Sequence, residues 1–223
     1  MSEADDPGAA RQRAVDLIRR GEYAPAAVLL ESGPCADDGE AESRYWLGVA
    51  YGHQGRFDEA AAAFQRALAI NPDYGDARVK LGKVLTLQGR HGEALAQYKA
   101  AVQVNPRHGE AHFELGYLYH LIGDHDHAAA CFEGAIRLDF RSADAYYNLG
   151  NLRAIKADYA AAADYYRQSI AIDPGNAARH CNLGNVLFKL GRLEEAMECQ
   201  QQAIAVDPAY AEAYNNCGII LSE

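Results

Sequence analysis

Trp46-Leu47-Gly48-Val49-Ala50-Tyr51, followed by Gly55, Ala60, Phe64, Ala67 and Asn71-Pro72, is the stretch from which the fold can be read. A step of 34 residues from Leu47-Gly48 meets Leu81-Gly82, Leu115-Gly116, Leu149-Gly150, Leu183-Gly184 and Cys217-Gly218. Glycine is 20 of 223 residues, so five further hits in register would arise by chance about once in a hundred thousand trials. The same step carries Ala60 to Ala94, Ala128, Ala162 and Ala196, and Phe64 to Tyr98, Phe132, Tyr166 and Gln200. A small residue recurs at Ala67, Ala101, Ala135, Ser169 and Ala203. Proline closes the unit at 72, 106, 174 and 208, with Phe140 standing in its place once.

Within a unit, the apolar and small residues fall at helical spacing. A glycine inside a helix costs about 0.5–1 kcal/mol relative to alanine, so its recurrence implies a closely approaching neighbour helix. Gly55, Gly89, Gly123 and Gly191 end the first helix of a pair as C-cap glycines, with Ala157 in that register once. The closing Asn-Pro or Asp-Pro ends the second helix, since proline disfavours the helical state of the residue before it. First helices are expected over 41–54, 75–88, 109–122, 143–156, 177–190 and 211–223. Second helices are expected over 58–70, 92–104, 126–138, 160–172 and 194–206. One pair cannot bury its apolar face alone, so pairs stack.

The period, with Trp46-Leu47-Gly48, Tyr51, Ala60, Phe64 and Pro72, resembles the tetratricopeptide repeat family over roughly residues 41–223. The resemblance implies an all-α fold, a right-handed α-solenoid of stacked antiparallel helix pairs in 34-residue units. The expected organisation is a disordered stretch 1–7, then a degenerate helix pair and linker over 8–40. Repeats follow at 41–74, 75–108, 109–142, 143–176 and 177–210, then a half repeat, first helix only, at 211–223. Within 1–40, helices are expected near 8–20 and 24–32, joined to the rest by the turn-rich 32–39.

Composition narrows function. The net charge is -10, and residues 1–40 supply half of it, which argues against a nucleic-acid partner. No uncharged run reaches the ~18 residues that cross a bilayer, so no membrane partner is expected. Met1-Ser2-Glu3-Ala4-Asp5-Asp6 has neither the positive nor the apolar region of a signal peptide. Five cysteines without framework spacing fit a reducing, cytoplasmic setting.

No catalytic constellation, phosphate-cradling loop or Cys-x-x-Cys is present, so the chain is read as a non-enzyme without cofactor. The strongest metal candidate is His120 with Asp124-His125-Asp126-His127. It reads more simply as a solvated turn with an N-cap aspartate, and no metal is expected.

The resemblance implies a concave face lined by first-helix positions 2, 5, 6, 9, 12 and 13, counted from residues 41, 75, 109, 143, 177 and 211. The peptide-binding residues it selects are Tyr45, Val49, Lys83, Phe113, Tyr117, His120 and Tyr147, then the amides Asn148, Asn151, Asn182, Asn185 and Asn216. The amides can pair with the backbone of an extended peptide, or bond to neighbouring helices. This asparagine run is similar to the repeat region of protein O-linked N-acetylglucosamine transferases. Glu42, Asp76, Glu110, Asp144 and Glu212 recur at position 2. There they complement the helix dipole and bias the rim toward cationic ligands. The family's clamp for acidic tails needs Lys at position 5 and Asn at position 9 of one unit. Tyr147 and Cys181 hold the Lys position beside Asn151 and Asn185.

The expected function is an interaction scaffold holding an extended peptide or a helix, with a neutral or basic protein or peptide as partner. The alternative is the substrate-recruiting region of a larger enzyme, such as a glycosyltransferase, whose catalytic domain lies outside this chain. The half repeat is expected either to fray from about Ala211 or to self-associate through Tyr214, Cys217, Gly218 and Leu221, which no second helix covers.

Overall fold

The computed structural model describes residues 6–32 and 40–223. The chain divides into two compact units, residues up to Leu118 and residues from Tyr119 onward.

In the first unit, α1 (Pro7–Arg19) pairs with α2 (Tyr23–Ser32), α3 (Ala41–His53) with α4 (Phe57–Ile70), and α5 (Gly75–Leu87) with α6 (His91–Val104). α7 (Gly109–Leu121) follows, and the unit boundary falls within it. The first helix starts earlier than expected. Asp6 accepts hydrogen bonds from the Gly8 and Ala9 amides, and Pro7 occupies the first helical position, where its missing N–H costs nothing. Most of the expected disordered segment and linker lies outside the described residues.

In the second unit, α8 (His125–Arg137) leads to α9 (Ser142–Ile155). α9 pairs with α10 (Tyr159–Ile172), and α11 (Ala177–Lys189) with α12 (Leu193–Val206). α13 (Ala211–Leu221) packs on α12 and touches α11. Each unit is thus a stack of antiparallel helix pairs, the expected solenoid packing.

At Gly48, Gly82 and Gly150 the first-helix glycine is there because an aromatic ring lies on it. A Cβ built on Gly82 would sit 2.5 Å from the Tyr98 ring, and one on Gly150 would sit 2.6 Å from Tyr166. Phe64, Tyr98 and Tyr166 are at most 2% exposed and fill the middle of their pairs, and Phe132 of α8 is fully buried. Gln200 takes the aromatic position in the last pair, fully buried, its amide nitrogen 2.5 Å from a Cβ built on Gly184.

Turns within pairs use one backbone device. Gly191 has φ +74°, its N–H reaches the Phe188 carbonyl at 2.9 Å, and Arg192 N–H reaches Leu187 at 3.0 Å. Ala157 adopts the same device at φ +58°, its N–H reaching the Ala154 carbonyl and Asp158 N–H the Arg153 carbonyl at 3.0 Å each.

Turns between pairs use another. Asn71, Asn105, Asp173 and Asp207 are extended, as a following proline requires. Their side chains accept from the amide two residues on, at 2.9–3.2 Å. Where Phe140 replaces proline, α8 ends instead on a left-handed Asp139 (φ +54°), and Phe140 N–H bonds the Ala135 carbonyl at 3.0 Å.

Candidate functional site

The first helices of successive pairs touch within each unit, α3 with α5 and α11 with α13. All twelve expected binding residues lie on first helices.

In the first unit, Val49 and Lys83 line a cavity of about 310 Å³. Gly48, Gly52, Phe57, Phe64, Val84 and Leu87 complete its apolar surface, and His53 and Lys80 reach its rim. The lysines are engaged. Lys80 Nζ lies 2.7 Å from Glu110, and Lys83 Nζ lies 2.8 Å from Glu114 and 3.6 Å from Glu110. Burial pushes the Glu110 carboxyl upward, but the Lys80 hydrogen bond and both ammonium charges more than reverse this, and it titrates below its ordinary value. Tyr117 is 45% exposed, an open aromatic face. Tyr45 and Phe113 are buried. Tyr45 packs on Trp46, Phe64 and Tyr74, and burial followed by the Asp76 charge lifts its phenol well above the ordinary value.

In the second unit, His120, Asn151, Asn182 and Asn185 line a cavity of about 430 Å³ with Ala154, Ile155, Tyr166 and Val186. Asn151 Oδ1 accepts from Tyr166 Oη–H at 2.7 Å and from Asn182 Nδ2–H at 3.2 Å. Asn182 Nδ2–H also donates to Tyr147 Oη at 2.9 Å. One repeat later the pattern returns. Asn185 Oδ1 accepts from Gln200 Nε2–H at 3.1 Å and from Asn216 Nδ2–H at 2.8 Å. Asn148 stands apart, donating to the Asp144 carbonyl of its own helix at 2.9 Å. The imidazole of His120 titrates below its ordinary value because burial disfavours its cation and His125 stands nearby.

One rule covers these contacts. Position 9 of one first helix bonds position 6 of the next, 31 residues on: Lys83 with Glu114, Asn151 with Asn182, Asn185 with Asn216. The first unit makes this rung from an ion pair, the second from two amides. Asn151, Asn182, Asn185 and Asn216 therefore bond to neighbouring helices, and for Asn151 and Asn182 these same bonds aim the remaining polar atom. Asn151 Nδ2 and Asn182 Oδ1 have no partner among the described residues and are not shut away from water.

Two further devices escape a reading of the groove positions alone. Position 4 closes the preceding turn: Arg78, His112, His180 and Tyr214 each donate to the carbonyl of Pro72, Pro106, Pro174 and Pro208 respectively, at 2.7–3.2 Å. The position-2 carboxylates mostly tie repeats together. Asp76 meets His108 at 3.0 Å, Glu110 meets Lys80, and Glu212 lies 3.4 Å from Asn185 Nδ2. Asp144 meets Arg179 at 2.7 Å, and that guanidinium, 4% exposed, also holds Asp173. Arg179 stands at position 3, where Ala77, Ala111, Ala145 and Ala213 are fully buried. Complementary residues 31 apart were the available signal for the rungs; nothing in a single helix announces them.

The histidine-rich turn is occupied with itself. Asp124 accepts from the His127 amide and lies 2.8 Å from its Nδ1, and Asp126 lies 2.6 Å from Lys156 Nζ. Among the described residues, no group of three His, Cys, Asp or Glu side chains is arranged to hold a metal ion. Among the same residues, no helix is long and apolar enough to cross a membrane.

Models of the tetratricopeptide repeat match residues 41–74, 122–177 and 165–198, and a TPR repeat model matches 82–123 and 184–223. The chain belongs to the tetratricopeptide repeat family. Among solved structures, PilF of Pseudomonas aeruginosa is similar at a TM-score of 0.82 and 20% identity, over 94% of this chain and 95% of that one. The crystal structure of MamA is similar at a TM-score of 0.68 and 26% identity, over 74% of this chain and 97% of its own. YrrB, described as a TPR protein with an unusual peptide-binding site, has a TM-score of 0.68 at 19% identity, over 81% and 93%. At such identities PilF and YrrB speak for the fold alone. No curated protein matches the sequence.

Proposed function

We propose that this protein is a non-enzymatic interaction scaffold whose first-helix faces hold a neutral or basic peptide, read chiefly through its backbone. The observation that carries this is the orientation of the second-unit rung. Its internal hydrogen bonds consume Asn151 Oδ1 and Asn182 Nδ2, and leave Asn151 Nδ2–H and Asn182 Oδ1 unpartnered at the cavity. One donor beside one acceptor matches the carbonyl and N–H of a peptide unit. Because the rung locks both side chains, little rotamer entropy is lost when a ligand binds.

Charge supports the choice of partner. From residue 119 onward there are 14 acidic and 8 basic side chains, so an acidic peptide is repelled and a basic one steered in. The peptide-binding description of YrrB accords with this reading. Tyr117 and Tyr147 are the aromatic anchors of their units, since truncated aromatic hot spots cost about 2 kcal/mol or more.

The test is a peptide array probed with the intact chain, followed by titration of the bound peptides in N-methylated form. Backbone methylation is expected to abolish binding where most side-chain changes do not, and Tyr117→Ala or Tyr147→Ala to weaken it. An array dominated by acidic C-terminal sequences, or indifference to both tyrosines, overturns the proposal.

A further inference from the structure

Gly52 is a glycine the fold does not need. It lies in the last turn of α3, without the positive φ that the turn glycines Gly55 and Gly89 show. A Cβ built on Gly48, one turn earlier, would strike the Phe64 ring at 2.7 Å. One built on Gly52 would meet nothing within 4 Å. Neither backbone conformation nor close packing calls for glycine there, and glycine in a helix is otherwise a cost. What its missing side chain leaves is space, and that space is the first-unit cavity of about 310 Å³.

A helical side chain leans back over the preceding turn, so any residue at 52 would project above Gly48 and Val49, into that cavity. The other residues at this register all carry side chains. Thr86 bonds the Gly82 carbonyl at 2.9 Å, and His120, Ala154 and Phe188 line the second-unit cavities.

We infer that Gly52 opens a specificity pocket for one large uncharged side chain of a bound peptide, a leucine, methionine or phenylalanine. This rests on the reading of the first-helix faces as peptide-binding. Val49, Phe57, Val84 and Leu87 supply apolar walls, and Leu87 is 68% exposed at the mouth. The volume is at the lower end of the ~300–1,000 Å³ of ligand pockets, room for one side chain rather than a separate cofactor. Charge decides the class of occupant. Lys80 and Lys83 already face Glu110 and Glu114, so the rim carries balanced charge, and the His53 ring is stacked on Tyr23 with centroids 4.4 Å apart. A charged side chain entering here would lose water without gaining a partner.

The experiment selects a random-peptide phage library on the intact chain and titrates the enriched peptides by fluorescence anisotropy. They are expected to share one Leu, Met or Phe, and changing it to Ala should weaken binding about tenfold or more. Gly52→Leu, which fills the pocket from inside, should cause the same loss while melting no lower than the natural chain. Gly52→Ala, a milder filling that favours the helix, should shift affinity in the same direction by less. If peptides bind Gly52→Leu and Gly52→Ala as tightly as the natural chain while Tyr117→Ala or Tyr147→Ala weakens them, the pocket is refuted and the peptide-binding reading stands. If no peptide is enriched, or neither tyrosine matters, the peptide-binding reading fails and the pocket with it.

Discussion

Replacing Gln200 by tyrosine should stabilise the last complete helix pair. Gln200 is fully buried, and its Oε1 has no hydrogen-bond partner. A buried unsatisfied carbonyl costs about 1–3 kcal/mol. Its Nε2–H bonds Asn185 Oδ1 at 3.1 Å and the Cys181 carbonyl at 3.2 Å. Tyr166, one repeat earlier, shows how a tyrosine sits in this register: flat on Gly150, its hydroxyl donating to Asn151 at 2.7 Å. A tyrosine at 200 would lie on Gly184 and donate to Asn185, conserving that bond and removing the orphaned carbonyl. Space is available, because Cys181 stands where the larger Tyr147 flanks Tyr166 at 5.8 Å. The expected net gain is about 1–3 kcal/mol, or roughly 2–4 °C in midpoint per kcal/mol for a chain of this size. Thermal and urea unfolding followed by circular dichroism measure it. Gln200→Phe is the companion: it fills the space but leaves Asn185 without the second-helix donor, and should gain less. A lowered midpoint for Gln200→Tyr, or no difference between the two variants, would refute the transfer of geometry from one repeat to the next.

Ala157→Gly should raise the midpoint modestly, because a left-handed alanine costs about 1–2 kcal/mol and glycine's unfolded-state entropy returns only part of that; a lower midpoint would contradict the shared turn geometry. Arg179→Met should cost about 1–3 kcal/mol in urea unfolding, less than a fully buried pair because Asp144 and Asp173 stay partly exposed; an unchanged midpoint would show that the guanidinium does not tie these repeats. Asp76, through its His108 hydrogen bond, and Glu110, through Lys80 and Lys83, titrate below their ordinary values. The unfolded chain therefore binds more protons, and stability present above about pH 4.3 is lost as the pH falls through the lowered folded values. Glu110→Gln should flatten this acid limb of the midpoint-against-pH curve, and an unaltered slope would discount the Lys80–Glu110 pair.

The 34-residue register by itself determined the helices, their pairing and their stacking. Glycine and an aromatic residue recurring at fixed offsets are each costly or bulky alone and make sense only against one another, as Gly82 under Tyr98 demonstrates. The left-handed turn at Ala157 was legible for the same reason, as a departure from a repeated glycine. Even the site was half legible: the groove positions pointed to Asn151, Asn182 and Asn185, but their chemistry allowed ligand or neighbour equally. Only the tertiary structure decided that Asn151 and Asn182 bond across adjacent repeats and leave one polar end each unpartnered, while Asn185 is engaged at both ends. It alone showed that Tyr45 and Phe113 are buried while Tyr117 is open, and that Gly52 borders empty space while Gly48 is pressed against a ring. The physical reason is one of range. Periodicity encodes what a residue does within its own helix pair, where the partner sits at a constant offset. Rungs and buried guanidinium ties depend on side chains 31 to 35 residues away, at distances set by the packing of one repeat on the next.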